Sequence, residues 1–207
     1  MLIHQNMHTH TRLSYCGGRD STVANTVAEA ESVGLSLVGI SDHIDVVESG
    51  REVLMAQNRE ELALIDTDID VLIGSEISLV DPDTLAIAPE CVDDLDYMLV
   101  SANHFHVPGV MNPDDRSEAS YADWFLTMAE GAINLGASII PHPFSYIGGL
   151  ATRNHGAPLD ILAVLAAYNR GRVRKLFRRA AEVGTAFEMN PGHVRGHQEF
   201  FGEILLI

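Results

Sequence analysis

The sequence predicts an α/β fold in which parallel strands alternate with helices. Short apolar or β-branched runs recur along the chain, and stretches with helical periodicity separate them, several of which end in glycine. Repeated strand–helix units of this kind form a parallel sheet, either open or closed into a barrel. The chain of 207 residues fits a single domain spanning 1–207 and is long enough to bury a full apolar core.

The strands are predicted from short runs that are rich in apolar or β-branched residues and are bounded by polar or turn-forming residues. The predicted strands are 2–7, 35–40, 70–75, 97–102, 137–140 and 185–188. The segment 79–96 is shorter than the helical stretches of the other connections and contains several turn-forming residues, so the connection there is expected to be irregular.

The helices are predicted from periodicity and from their end signals. Asp20 or Ser21 is the expected N-cap of the first helix, and Gly34 stands just past its end. A second helix is predicted within 118–136 and a third within 158–184, and each of these stretches also closes with a glycine.

Charge and hydropathy exclude several classes of protein. Acidic residues outnumber basic ones by 29 to 13, and a net charge of −16 repels phosphate backbones, so nucleic-acid binding is not expected. The one basic cluster, "RGRVRKLFRR", is expected to be a solvated helix face. No apolar run approaches the roughly 20 residues of a membrane span, and the N-terminus does not resemble a signal peptide. With only two cysteines, the sequence favours a cytoplasmic protein without a membrane partner.

Side chains that can bind metal ions follow the predicted strands where each strand ends. They are His8 and His10, His43, Glu76, His104 and His142. Residues i and i+2 of a strand point to one face, so His8 and His10 can direct two imidazoles at one point. Any one of these histidines would have an ordinary structural explanation. Their recurrence at the carboxyl ends of parallel strands predicts a metal site.

Imidazoles combined with one carboxylate suit zinc, manganese or iron, and the set is too large for one tetrahedral ion. The sequence therefore predicts two or three divalent ions with Glu76 as the bridge, and a bridging hydroxide that acts as the nucleophile in hydrolysis. Glu76 and His43 are expected to take part in catalysis, and Asp42 to support it by hydrogen bonding to a ring nitrogen. Cys16 is either a soft ligand beside His43 or a small buried residue.

Three residues are predicted to bind substrate. Arg153 follows the fifth predicted strand and Arg195 follows the sixth, and either guanidinium could hold a phosphate through two hydrogen bonds. Asn190, at the end of the sixth strand, could orient a ligand or the substrate. The expected partner is a small phosphorylated metabolite.

Six motifs, in order, resemble those of the PHP family, which is named for polymerase and histidinol phosphatase. They are "HTHTRLSYCG", "GISDH", "GSEI", "VSANHF", "PHP" and "FEMNP". The resemblance implies a distorted (β/α)7 TIM-like barrel with a trinuclear metal centre and phosphoesterase activity. It implies a first ion at His8, His10 and Glu76, a second at Glu76, His104 and His142, and a third held partly by His43. Cys16 stands where many members have histidine.

The end of the chain departs from the family pattern. The family's closing strand ends in a Ser-Asp-Ala-His-like motif, whereas this chain closes with "HQEFFGEILLI", a helical pattern, and has no aspartate after Asp160. The seventh strand is therefore expected to be absent, and the strand edges left open are expected to be covered either by a partner subunit, in a homo-oligomer, or by the C-terminal segment folding back. Two alternatives to a phosphoesterase remain: an amidohydrolase-like metal hydrolase, and a degenerate PHP module that binds metal or a partner without turnover.

Overall fold

The computed structural model describes residues 4–45, 53–145 and 159–204, except for the side chains of 191–193. It shows a mixed α/β architecture with parallel strand pairs, which confirms the predicted α/β class. The chain divides into two compact units. Unit 1 comprises Met1–Ile77 and Ala86–Leu99, and unit 2 comprises Ser78–Leu85 and Val100–Ile207. The expectation of a single domain stays a prediction.

Unit 1 is built on a parallel sheet. Its elements are β1 (Gln5–Thr9), α1 (Val23–Ser32), β2 (Leu37–Ile40), β3 (His43–Ile44), α2 (Val53–Leu62), β4 (Asp70–Ile73) and the start of β5 (Ser75–Asp81). A 3-10 helix follows at Pro89–Asp94, which confirms the predicted irregular connection. The sheet has the strand order β1-β2-β4. Strands β3 and β5 also pair in parallel, with His43 opposite Glu76.

Helix α1 begins and ends at recognisable caps. The Thr22 side chain accepts a hydrogen bond from the backbone N–H of Asn25, so the N-cap is Thr22, and the expectation of Asp20 or Ser21 was wrong by one or two residues. Gly34 follows the helix with a φ of 79°, a left-handed conformation that costs glycine little.

The apolar face of α1 forms the core of unit 1. Val23, Val27 and Ala30 recur at helical spacing, are buried, and cluster with Val38 of β2. Partly buried apolar residues surround this cluster: Leu35, Leu62, Ile65, Ile69 and Val71. The helix therefore fixes the sheet that carries the strand-end side chains.

Tyr97 packs against two glycines of unit 1. A Cβ atom on Gly39 would collide with the Tyr97 hydroxyl, and one on Gly74 would lie 2.6 Å from Tyr97 Cε1. The hydroxyl donates a hydrogen bond to the Met7 carbonyl at 2.8 Å. Burial raises the pKa of Tyr97 far above its usual value, so the phenol remains a neutral donor.

Unit 2 contains the rest of β5 and the elements that follow it. They are β6 (Thr84–Leu85), the end of β7 (Met98–Ser101), α3 (Glu118–Asn134), β8 (Ile139–Ile140), α4 (Ile161–Ala167), α5 (Arg170–Val183), β9 (Ala186–Phe187), α6 (Pro191–Gly196) and α7 (Gln198–Ile204). The boundary between the units thus falls inside two strands, β5 and β7. β5 pairs antiparallel with β6, and β8 pairs in parallel with β9.

The core of unit 2 is aromatic. Helix α3 packs against α4 and α5 and buries Tyr121, Phe125 and Leu126. Phe144 lies at the centre of an aromatic cluster whose other members are Phe125, Tyr168, Phe177 and Phe200. This cluster anchors the loop that follows β8.

All six predicted strands overlap described strands, although the described ones begin later or end sooner at several positions. The predicted helix 158–184 is two helices, because Asn169 caps a new helix by accepting a hydrogen bond from the Arg172 N–H. After β9 the described chain is helical, as predicted from the sequence. The pairings among the described strands do not close a barrel, so the barrel stays a prediction.

Within the described ranges, every helix falls short of the length and apolar character that crossing a bilayer requires.

Candidate metal centre

The strand ends of unit 1 bring the first group of predicted ligands together. His8 lies in β1 and His10 just after it, while His43 opens β3 and Glu76 is the second residue of β5. Strands β1, β2 and β4 run in parallel, so their carboxyl ends share one edge of the sheet. β3 continues from the end of β2 and β5 from the end of β4, which delivers His43 and Glu76 to that edge.

Three imidazoles surround a single carboxylate oxygen. Glu76 Oε2 lies 3.1 Å from His8 Nε2, 3.4 Å from His10 Nε2 and 3.3 Å from His43 Nδ1. His8 Nε2 and His10 Nε2 are 3.0 Å apart. Glu76 is only 1% exposed, so this carboxylate is withdrawn from water and depends on the rings around it.

The spacing of these atoms fits a metal ion. A zinc ion with bonds of about 2.0–2.1 Å separates tetrahedral ligand atoms by about 3.3–3.4 Å, close to the observed nitrogen–oxygen distances. His8, His10 and Glu76 form a group that could hold an ion, with ligand atoms within 4.8 Å of one another.

Electrostatics keep His10 in the form that binds metal. Burial lowers the pKa of the His10 ring below its usual value, although the nearby Glu76 carboxylate opposes that shift. A neutral imidazole has a lone pair to donate, whereas an imidazolium does not.

Cys16 belongs to a second group, with His10 and His43, whose ligand atoms also lie within 4.8 Å of one another. Cys16 is exposed, so of its two predicted alternatives the small buried residue is wrong, and its role as a ligand stays a prediction. The His43 ring is stacked between two others, at 4.5 Å from His10 and 4.7 Å from Tyr15. Partial desolvation, reinforced by the Glu76 charge, raises the pKa of the Cys16 thiol.

Asp42 anchors the loop that follows β1. Its Oδ1 accepts hydrogen bonds from Thr11 N at 2.8 Å and Ser14 Oγ at 2.6 Å, and its Oδ2 accepts from Thr11 Oγ1 and Asn58 Nδ2, both at 2.7 Å. The Ser14 hydroxyl also accepts from the His43 N–H at 3.0 Å. Asp42 therefore fixes the loop beside the metal-binding groups, and its catalytic role stays a prediction.

Unit 2 carries the other two predicted ligands. The rings of His104 and His142 are stacked with centroids 5.5 Å apart, and His106 contacts His104 edge-on at 5.3 Å. Ser78 Oγ lies 2.8 Å from His104 Nδ1, which directs Nε2 toward any ion that His104 binds. The ion predicted to be shared by Glu76, His104 and His142 joins residues of different units and stays a prediction.

Two polar side chains shape the loop that carries His142. Asn103 Nδ2 donates to the carbonyls of His142 at 3.1 Å and Ser145 at 2.9 Å, and Glu188 Oε2 accepts from the His142 N–H at 2.5 Å. Within this loop, His142 has a φ of 34° and Phe144 a φ of 62°, conformations that are unfavourable for residues with a Cβ. Surrounding contacts must hold such a backbone in place.

The predicted substrate-binding residues lie in unit 2 or outside the description. Asn190 is half-buried, and its carbonyl accepts a hydrogen bond from the Val194 N–H at 3.1 Å. Arg195 is exposed and, with Arg170, lines a cavity of about 580 Å³. Arg153 lies outside the described residues. Their substrate-binding roles stay predictions.

Comparison with known proteins supplies no further assignment, because neither the family models nor the curated proteins include a match to this chain. Sequence reasoning overlooked Thr11, Ser14, Asn58 and Ser78, which position the predicted ligands. Each is a common polar residue whose partner is distant along the chain, so no local pattern marks it. The sequence feature that could have drawn attention to Thr11 and Ser14 is their position inside the first motif.

Proposed function

We propose that this chain is a metal-dependent phosphoesterase that hydrolyses small phosphate monoesters and has the distorted (β/α)7 fold of the PHP family. The observation that carries the proposal is the convergence of three imidazoles on one buried carboxylate oxygen, Glu76 Oε2. Zinc, manganese and iron are the ions that suit such donors. The order of the six motifs supports a phosphoester as the substrate.

Different residues of the chain have different roles in such a site. Divalent ions, when bound, lower the pKa of water and neutralise charge on a phosphoryl oxygen. Glu76 provides the negative charge that makes a cluster of neutral imidazoles attractive to cations. Asp42 holds the neighbouring loop rigid through Thr11 and Ser14, so the donors keep their spacing. An arginine, Arg153 or Arg195, orients the phosphate through charge-assisted hydrogen bonds.

The proposal is tested by replacing Glu76. Glu76→Gln keeps the size of the side chain and removes its charge, so metal content and hydrolysis of an aryl phosphate should fall together by about tenfold or more. Elemental analysis of protein purified without chelator and steady-state kinetics measure the two quantities. Glu60→Gln, an exposed change on α2, is the matched control and should leave both unaltered.

Glu76→Gln protein that keeps two ions per chain and normal turnover would overturn the assignment. The substrate class is tested with the metal-loaded wild type, which should cleave the aryl phosphate and leave an aryl amide intact. Cleavage of the amide alone would identify an amidohydrolase-like enzyme. Stable metal binding with neither activity would identify a module without turnover.

A further inference from the structure

The two metal-binding groups of unit 1 differ in chemical softness. His8, His10 and Glu76 offer two imidazoles and a carboxylate, whereas His10, Cys16 and His43 offer two imidazoles and a sulfur. Carboxylate ligands suit manganese, and thiolate ligands select thiophilic ions such as zinc and cobalt. Since both groups include His10, the other two donors of each group decide which ion it prefers.

The loop that carries Cys16 is fixed to the strand end that carries His43. Ser14 Oγ donates to Asp42 Oδ1 at 2.6 Å and accepts from the His43 N–H at 3.0 Å, so one hydroxyl joins the two segments. Tyr15 also joins the loop to His43, because the two rings are stacked at an interplanar angle of 18°. The contacts of Ser14 and Tyr15, the two residues that precede Cys16, therefore hold this part of the loop beside His43.

The two groups also differ in access. The carboxylate of the first group, Glu76, is 1% exposed, whereas the sulfur donor of the second group, Cys16, is exposed; His43, which also belongs to the second group, is 6% exposed. An ion that arrives from solvent can reach the sulfur without displacing buried side chains. A thiophilic ion can then complete its coordination with His10 and His43.

We propose that unit 1 sorts divalent ions by softness. Thiophilic ions bind through Cys16 together with His10 and His43, and manganese binds through Glu76 together with His8 and His10. This inference rests on the proposed metal centre, to which it adds the class of ion that each group takes. Replacing the sulfur should therefore change the binding of one class of ion and spare the other.

Cobalt reports directly on sulfur ligation, because a thiolate bound to Co²⁺ absorbs in the near ultraviolet through charge transfer. Titration of the full chain with Co²⁺ should produce this band in the wild type. The chain has one other cysteine, Cys91, which is half-buried in the 3-10 helix and is the matched control. Cys91→Ser should keep the band, and Cys16→Ser should lose it, with Co²⁺ affinity lower by about tenfold or more.

Manganese supplies the second arm of the experiment. The affinity for Mn²⁺, measured from the electron paramagnetic resonance of the free ion, should change by less than about twofold in Cys16→Ser. Cys16→His guards against a general loss of structure, since it should restore Co²⁺ affinity without restoring the charge-transfer band. Far-ultraviolet circular dichroism confirms that each variant is folded.

A wild type without the band at saturating Co²⁺, or a Cys16→Ser variant that retains it, would overturn ion sorting. Equal loss of Co²⁺ and Mn²⁺ affinity in folded Cys16→Ser would do the same. If the charge-transfer band is absent from the wild type or is retained in Cys16→Ser, while Glu76→Gln loses metal and turnover, the proposed function survives. If the band depends on Cys16 while Glu76→Gln keeps metal and turnover, ion sorting survives and the proposed function fails.

Discussion

Asp42 and Asn103 have similar positions relative to a strand-end histidine, and both form hydrogen bonds that hold a neighbouring loop. Each directly precedes a histidine at a strand end, and each holds a loop that carries another predicted ligand. The sequence predicted that Asp42 would form a hydrogen bond with a ring nitrogen of a ligand. The described hydrogen bonds of Asp42 come from hydroxyl, amide and backbone N–H donors, and those of Asn103 go to backbone carbonyls.

Replacing Asn103 should destabilise the fold. The residue is fully buried, and Asn103→Ala removes two hydrogen bonds and leaves the carbonyls of His142 and Ser145 without this donor. A loss of about 2 kcal/mol or more in the free energy of unfolding is expected, measured by urea denaturation. Asn134→Ala, at the exposed end of α3, is the control and should stay within about 0.5 kcal/mol of wild type.

Equal stability of Asn103→Ala and wild type would mean that the left-handed backbone at His142 and Phe144 is held by other contacts. The aromatic packing of Phe144 would then be the first candidate.

The ligand candidates could be predicted from the sequence because two simple rules apply to them. Strand-end position and i, i+2 spacing are visible in the sequence, and unit 1 brings His8, His10, His43 and Glu76 to one point. The anchoring of Asp42 could not be predicted in the same way. Its partners are separated from it by up to 31 residues, and a carboxylate can accept from many kinds of donor.

At the scale of elements, the sheet of unit 1 depends on glycine where Tyr97 crosses it. Gly39→Ala would place a methyl group against the Tyr97 hydroxyl, and the backbone of β2 has no room to retreat because it pairs on both sides. A loss of about 1–3 kcal/mol in the free energy of unfolding is expected from urea denaturation.

Two variants identify the cause of that loss. Gly202 lies within α7, where an added methyl group would meet open space, so Gly202→Ala should be neutral or slightly stabilising. Tyr97→Phe removes the colliding oxygen, so the double variant Gly39→Ala/Tyr97→Phe should be more stable than the sum of the single effects predicts. Strict additivity of the two changes would show that Tyr97 is not what Gly39 accommodates.

Element boundaries were harder to predict than element types. The split between α4 and α5 depends on the Asn169 side chain, which caps a helix here although asparagine also occurs within helices. Strands β3 and β6 contain two residues each, too few for any periodicity to show. Asp20 and Ser21, which stand just before Thr22, have a higher N-cap propensity than threonine, so the sequence favoured the wrong positions.

At the scale of the whole molecule, charge is the dominant property. The chain carries a formal net charge of −16, while the basic cluster of α5 is partly neutralised by acidic neighbours. Arg172 lies 2.5 Å from Asp123 and 3.1 Å from Glu130, and Arg170 lies 2.9 Å from Glu203. These pairs fit the expected solvated face and leave the excess of negative charge elsewhere unbalanced.

Salt should therefore stabilise the chain. Raising KCl from about 0.05 M to about 0.5 M shortens the screening length and weakens repulsion among carboxylates. The melting temperature should rise by about 2–4 °C for each kcal/mol of repulsion relieved, measured by calorimetry with chelator present. Choline chloride at equal ionic strength should act alike, and a melting temperature insensitive to both salts would contradict the expectation.

The placement of the unit boundary inside β5 and β7 has a consequence for synthesis on the ribosome. All of unit 1 has been translated once Leu99 has been added, but the nascent chain then already contains Ser78–Leu85, which belongs to unit 2. Unit 2 can form only after more than a hundred further residues, Val100–Ile207, have been translated. No single cut in the gene separates the two units, so neither unit can be produced whole and alone from one continuous segment of the chain.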